Sequence, residues 1–301
     1  MKQVTMGADR DETGTFSILS TASATRHIWL CADDYGISPS VNAAIRDLIV
    51  RGRINATSAM VTAPSLHRSE AIALSMLNAG EPRVAIGLHL TLTAPFHPLS
   101  KTFKPLRDGA FLSLGANMAA ALLHRFKSDM LVDEIINQLR MFVHSFGRAP
   151  DFIDGHQHVH LLPQIRDAVL KVAKEAAPNA WLRQCGRNMP LPLLGRLGNP
   201  KALVLDILSQ SFRRRADALN IRTNPAFAGA YSFDDEANFA ALFPRFLDGL
   251  PDGSVVMCHP GFVDAELQRL DPLTTLRERE YAFFMDDSFP TLLAAHGVAL
   301  A

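Results

Sequence analysis

The chain has 301 residues, 48% hydrophobic and 20% charged, with Lys+Arg and Asp+Glu balanced at 30 each. This allows a large core, as one α/β barrel or two smaller domains, and offers no basic block of the kind nucleic acid needs; Arg213-Arg214-Arg215 reads as a solvated helix face. No apolar run approaches the roughly 20 residues of a membrane span. Cys31, Cys185 and Cys258 are far apart, with no CxxC pair, and read as free thiols in a reducing compartment. The polar, acidic stretch Met1 to Gly14 is not a secretion leader, so a cytoplasmic protein is expected.

Residues 1–26 carry no clear period and read as a flexible extension. Order begins at His27-Ile28-Trp29-Leu30-Cys31-Ala32, an apolar run of the buried parallel-strand type, which ends in Asp33-Asp34-Tyr35-Gly36. Ser38-Pro39 predicts an N-cap and first helical position, followed by Val41, Ala44, Ile45 and Leu48 at helical spacing. Ala56 to Thr62 reads as strand, Ser65 to Asn78 as helix closed by Gly80, and Val84 to Leu88 as a strand delivering His89. From about 91 to 128 the chain is dense in Pro, Gly, Phe and Leu, too long for a plain connection, and reads as a substrate-facing insertion.

Asp129 to Phe146 is an amphipathic helix ending at Gly147, and Phe152-Ile153 leads into Asp154-Gly155-His156-Gln157-His158-Val159-His160. If the strand continues, His156, His158 and His160 share one face; if the chain turns, His156 and His158 stay close. Ile165 to Ala176 reads as helix, Ala180 to Arg183 as strand, and Leu191 to Leu219 as mostly helix with a turn at Gly198-Asn199-Pro200. Ala226 to Gly229 is a weaker strand, Asp234 to Leu250 a helix, and Gly253 to Cys258 a strand running into His259-Pro260-Gly261. Thr274 to Phe284 and Phe289 to Ala295 are helices, and Gly297 to Leu300 a final short strand.

Alternating strands and helices predict a parallel sheet with helices outside, either a distorted (β/α) barrel of seven to eight strands or an open doubly wound sheet. No GxGxxG follows the first strand, which weakens a dinucleotide-binding sheet. The barrel is favoured because Asp33, Asp34, His89, His156, Arg183 and His259 each follow a predicted strand, and strand C-termini meet at one mouth. Residues 27–301 then form one catalytic unit.

Asp34, His89 and His156 would make a two-His, one-carboxylate face for a divalent ion, zinc or magnesium. The same set serves non-haem iron oxygenases, so ligand type alone does not choose the chemistry. Asp33 beside them is a candidate base, His259 a candidate acid, and Arg183 a partner holding Asp33 ionised. Each has a plainer reading: a polar strand face for the histidines, a helix cap for the Asp pair, a turn residue in His259, a structural ion pair for Arg183.

The motifs Ala32-Asp33-Asp34-Tyr35-Gly36, Gly87-Leu88-His89-Leu90, Asp154 to His160 and Met257-Cys258-His259-Pro260-Gly261 resemble, in order and spacing, those of the YdjC-like carbohydrate deacetylases, which include the chitooligosaccharide (diacetylchitobiose) deacetylases. The resemblance spans about residues 27–300. It implies a distorted (β/α) barrel related to polysaccharide deacetylases, and a metal-dependent hydrolase that removes acetyl from N-acetylated sugars. It implies Asp34, His89 and His156 as metal ligands, Asp33 as base and His259 as acid. His158, His160 and Tyr35 would lie around them, orienting ligands or touching substrate. Tyr35 and Gly155 stand where the family often has Phe and Ser or Ala. A homodimer is also expected. The competing readings are a metal-dependent phosphoesterase or other amidohydrolase on the same barrel, and a sugar-binding barrel without chemistry.

Overall fold

The computed structural model describes residues 24–78, 84–187, 200–234 and 236–301. The expectations for residues 1–23, Gly80 and the turn around Gly198 fall largely or wholly outside them. Strand β1 (Arg26–Tyr35) runs at the centre of an all-parallel sheet, flanked by β2 (Ala56–Ala59) and β7 (Ser254–Cys258). Beyond β2 come β3 (Ala85–Leu90), β4 (Phe152–Gly155) and β5 (Trp181–Leu182), and beyond β7 comes β6 (Phe227–Ala228). The far edges meet at one bridge, Leu182 with Thr223, rather than along a ladder. The sheet is therefore a curled, incompletely closed barrel. Strands buried on both faces read mostly as apolar runs, which is why the sequence located them, although β2 carries Thr57 and Ser58 at its centre.

The first strand is longer than expected at both ends. Arg26 lies within it, and its guanidinium reaches the carbonyls of Leu250 (2.8 Å) and His296 (2.6 Å), so the ordered chain starts before His27. At the other end the strand continues through Asp33, Asp34 and Tyr35. β8 (Val298–Leu300) pairs with the first residues of β1, on the edge that β2 takes up from Cys31 onward. Asn55 fills the join: Leu30 N–H donates to its Oδ1 (2.8 Å), and its Nδ2 donates to the carbonyls of Ile28 (3.0 Å) and Ala301 (3.1 Å).

Helices cover the outside. In α1 (Pro39–Val50) the Ser38 hydroxyl accepts from Val41 N–H at 3.3 Å, and Pro39 sits where no N–H is needed. The buried stripe of α4 (Ser128–Phe146) is Leu131, Ile135, Leu139, Phe142 and Phe146, and Gly147 ends it at φ 69. The stretch before α4 folds back rather than hanging loose. It contains α3 (Leu114–Leu122), which the sequence reading missed, and α4 side chains hold its loops: Gln138 bridges both backbone groups of Thr91, and Glu134 accepts from Ser100 N–H at 2.7 Å. The later elements are α2 (Arg68–Leu77), α5 (Ile165–Ala176), α6 (Pro200–Ala218), α7 (Phe239–Leu247), α8 (Ala265–Leu270), α9 (Thr275–Met285) and α10 (Phe289–Ala295). α7 begins at Phe239, not Asp234, because Asn238 caps it by accepting from Ala241 N–H. α8, also unforeseen, starts on the Asp264 cap. Among the described residues no helix is long and apolar enough to cross a membrane.

Asn55→Ala strips three backbone groups of their partner at this join. It should lower unfolding stability by about 1–3 kcal/mol, read from urea denaturation; an unchanged midpoint would show that the join carries no weight.

Candidate active site

The C-terminal ends of β1, β3 and β4 converge, and a reversal of the backbone at two of them aims the side chains. Asp34 adopts φ 69, in the left-handed region, so it leaves the alternation that would point it away from Asp33's neighbours. After Gly155 the chain does not continue as a strand. It enters a 3-10 turn, His156–Leu161, with Gln157 and His158 also left-handed. The expected common face for His156, His158 and His160 is therefore not formed.

Asp34, His89 and His156 do come together, with their ligand atoms within 4.8 Å of one another and all three residues buried. Oδ1 of Asp34 lies 2.9 Å from Nδ1 of His156 and 3.3 Å from Nε2 of His89. Its second oxygen is taken by Arg277, on α9, at 2.6 Å. His89 turns its other nitrogen, Nδ1, to Oδ1 of Asp154 at 2.7 Å. That bond keeps a proton on Nδ1 and leaves Nε2 facing Asp34, where it can hold either a proton or a cation, as carboxylates arrange behind metal-binding imidazoles. Phe96 lies edge-on to His156, with centroids 5.7 Å apart, and limits its rotation. Two imidazole nitrogens and one carboxylate oxygen, with His89 held from behind by Asp154 and Asp34 by Arg277, fit a single divalent cation.

Asp33 is held separately. Arg183 donates to both its oxygens at 2.7 Å and reaches Oδ2 of Asp154 at 2.6 Å, so one guanidinium joins the two carboxylates. Ser58 sits between Oδ1 of Asp33 (3.2 Å) and Nδ1 of His89 (3.0 Å). Burial alone would raise the Asp33 carboxyl, but Arg183 and then His89 outweigh it and hold it well below the usual carboxylate range. Asp34 is likewise held low against burial, by His156 and Arg277. His89 loses by burial but is carried up to about 10 by Asp154 and Asp33. Oδ2 of Asp33 takes one donor from the protein, and a carboxylate oxygen has room for a second.

His259 follows β7, partly exposed on one edge, with its Nδ1 buried and unpartnered. Burial lowers its pKa; Asp34 pulls it up and Arg277 pushes it down. Its backbone N–H donates to Glu280, which also accepts from Tyr231 at 2.6 Å. Burial pushes the Glu280 carboxyl up to about 7 against those two donors.

The family model described as YdjC-like protein matches residues 27–295, most of the chain. The chain belongs to this family. A protein named carbohydrate deacetylase, from Clostridium beijerinckii, is 28% identical over 272 residues, covering 85% of this chain and 93% of the relative. A crystal structure described as a cellobiose-phosphate cleavage protein, from Enterococcus faecalis V583, superposes with a TM-score of 0.70 at 22% identity, covering 92% of this chain and 97% of that one. A family 4 carbohydrate esterase from Streptomyces lividans gives a TM-score of 0.45 at 10% identity over 93% of each chain.

Three residues expected around the donors of this YdjC-like chain lie elsewhere or act at one remove. Tyr35 is fully buried but turns away from the donors toward α1 and α2, where Arg46 donates to its hydroxyl at 3.0 Å and the hydroxyl meets Glu70. His158 rests against Cys185 (Nδ1 to Sγ 3.5 Å) and edge-on to Phe227. His160 donates from Nε2 to the carbonyl of Arg183 at 2.8 Å, so it supports the arginine and not the donor set. Burial brings both imidazoles down to about 3, so they are neutral. Gly155 makes room for this: a Cβ there would lie 2.9 Å from Nδ1 of His160. All three cysteines are free thiols, and buried. Arg277, Glu280 and the role of Asp154 were missed. The first two come from a helix rather than a strand end. The available signal was Glu280 on the same stripe as buried Leu276 and Phe284.

Arg183→Met should cost on the order of 3–5 kcal/mol of stability at pH 7, because it takes the ion-pair partner from buried Asp33 and leaves Asp154 with His89 alone. Asp33 is depressed below its ordinary 3.8, so the stabilisation is complete above that value and is lost as pH falls through the lower, folded-state value. The gap between variant and parent in denaturant unfolding should therefore narrow toward about pH 3; a gap of the same size at both pH values would show that the arginine does not hold Asp33 ionised.

Proposed function

We propose that the protein is a metal-dependent carbohydrate deacetylase, which hydrolyses the acetamide of an N-acetylated amino sugar to acetate and a free amine. One observation carries this reading: the donor triad Asp34, His89 and His156 shares its mouth with Asp33, clasped through both oxygens by Arg183, and with His259. The family membership and the activity named for the Clostridium relative support it.

In this reading Asp34, His89 and His156 hold the ion. Two imidazoles with one carboxylate suit a zinc-like ion better than magnesium, which prefers oxygen donors. A bound divalent cation would lower the pKa of a water and polarise the acyl oxygen. Asp33 is the base: Arg183 keeps it ionised and fixed, and its Oδ2 takes a proton from the attacking water. Strong pairing makes Asp33 a weak base on its own, which suits it to a water already acidified. His259 delivers the proton to the departing amine. The burial that lowers its pKa leaves the ring neutral at rest, so His259 takes up a proton, from solvent or from Asp33 once that carboxyl holds the water's proton, before giving it to the amine. A phosphoesterase would require cations for the phosphate oxygens. The guanidiniums at this mouth, Arg183 and Arg277, are instead engaged by Asp33, Asp154, Asp34 and Asp271.

His156→Ala should lose both bound metal, measured by atomic emission, and acetate release from N-acetylglucosamine oligomers. Turnover at the parent's rate by a metal-free variant would end the assignment. Asp33→Asn should keep the metal and lose rate by roughly 10²–10⁴; a loss of metal in this variant would move Asp33 into the ligand set.

A further inference from the structure

Removing acetyl from a sugar requires the ring that bears the amine to sit against the group that protonates it. That group is His259 in the reading above, on which the following rests. Beside it stands Phe233, with ring centroids 5.3 Å apart and planes at 89°. Phe233 is 44% exposed although it lies at the mouth of a barrel rich in buried aromatic rings. Single exposed apolar residues are ordinary on protein surfaces. What sets this one apart is that it touches a reacting group and has a support built beneath it.

The support runs from β6. Gly229, at φ 100, brings the chain so close to β7 that a Cβ would lie 2.1 Å from the Met257 carbonyl oxygen. Two residues on, Tyr231 packs against Phe233 at 4.3 Å. The Tyr231 hydroxyl donates to Oε1 of Glu280, whose Oε2 accepts the backbone N–H of His259. A single fully buried carboxylate thus ties the loop carrying Phe233 to the loop carrying the acid. Gly261 N–H, bonded to the Arg277 carbonyl at 3.1 Å, pins the second loop to the same helix. The aromatic face and the imidazole are held in one fixed relation by groups that have no other evident use there.

We propose that Phe233 is the platform on which the pyranose ring of the substrate stacks. One face of a pyranose is a sheet of C–H groups, and the electron-rich face of a phenyl ring attracts it while excluding water. A sugar seated there would carry its 2-amino group toward His259. Glu280 is the positioning residue that sets platform and acid together.

The test is binding of a β-1,4-linked N-acetylglucosamine trimer, by calorimetry, to the metal-loaded full chain in a slow Asp33→Asn background, alongside acetate release by the unmutated protein. Adding Phe233→Ala should weaken binding by about tenfold, and Phe233→Trp should restore it to within about threefold, with metal content and melting temperature unchanged. Equal affinity with and without the phenyl ring overturns the platform, whether or not acetate is released; so does failure of the Asp33→Asn protein to bind the trimer. If the trimer binds through Phe233 and the unmutated protein releases no acetate, the platform stands and the deacetylase reading falls.

Discussion

Three carboxylates, Asp33, Asp34 and Asp154, are buried together at the ends of β1 and β4 against two buried guanidiniums, Arg183 and Arg277. Charge out of water must be compensated, and two guanidiniums fall short of these three carboxylates, the more so because Arg277 is shared with Asp271. The excess does not spread evenly. Arg183 covers Asp33 and one oxygen of Asp154, and Arg277 covers one oxygen of Asp34; the oxygens that no guanidinium reaches are Oδ1 of Asp154, which faces Nδ1 of His89, and Oδ1 of Asp34, between two imidazole nitrogens. The two arginines leave room for one positive charge at that point, either a proton on His89 or a metal ion. Against burial, His89 is shifted upward by Asp154 first and then Asp33, the same surplus of carboxylate seen from the imidazole.

This constraint explains why neighbouring residues of one chemical type do different work. Asp33 and Asp34 are adjacent in sequence, yet one has both oxygens on an arginine while the other keeps an oxygen open. The left-handed backbone at Asp34 divides the roles by sending its carboxylate toward the histidines. The same device recurs after β4, where Gln157 and His158 turn the chain so that His156 alone faces the donors while His160 passes behind to hold the Arg183 carbonyl. Asp34, Gln157 and His158 thus hold at the site a backbone conformation that few L-residues choose, as Asp108, His124, Gln164 and Asn220 do elsewhere in the chain.

Much of the site was legible because chemistry-bearing residues follow apolar runs, and parallel strands carry whatever follows them to one rim. That alone puts Asp33, Asp34, His89, His156, Arg183 and His259 at a common mouth. What stayed hidden has two causes. The turn at Gln157 and His158 lacks the Gly or Asn that usually announces a left-handed residue, so alternation looked like a strand. Arg277 and Glu280 arrive from a helix far along the chain, and only a charged residue on an otherwise buried stripe hinted at them. Tyr35 misled for a third reason: proximity in sequence to two site residues does not fix the direction of a side chain at a strand end.

The central claim is that Asp34, His89 and His156 form one cradle for one cation. Anomalous diffraction from crystals of the full chain grown with zinc tests it most directly. The account predicts one strong peak enclosed by Oδ1 of Asp34 and the facing nitrogens of the two imidazoles, with Asp33 still clasped by Arg183. An ordered triad with no peak between its donors, or an ion seated on Asp33 and Asp154 instead, would contradict it.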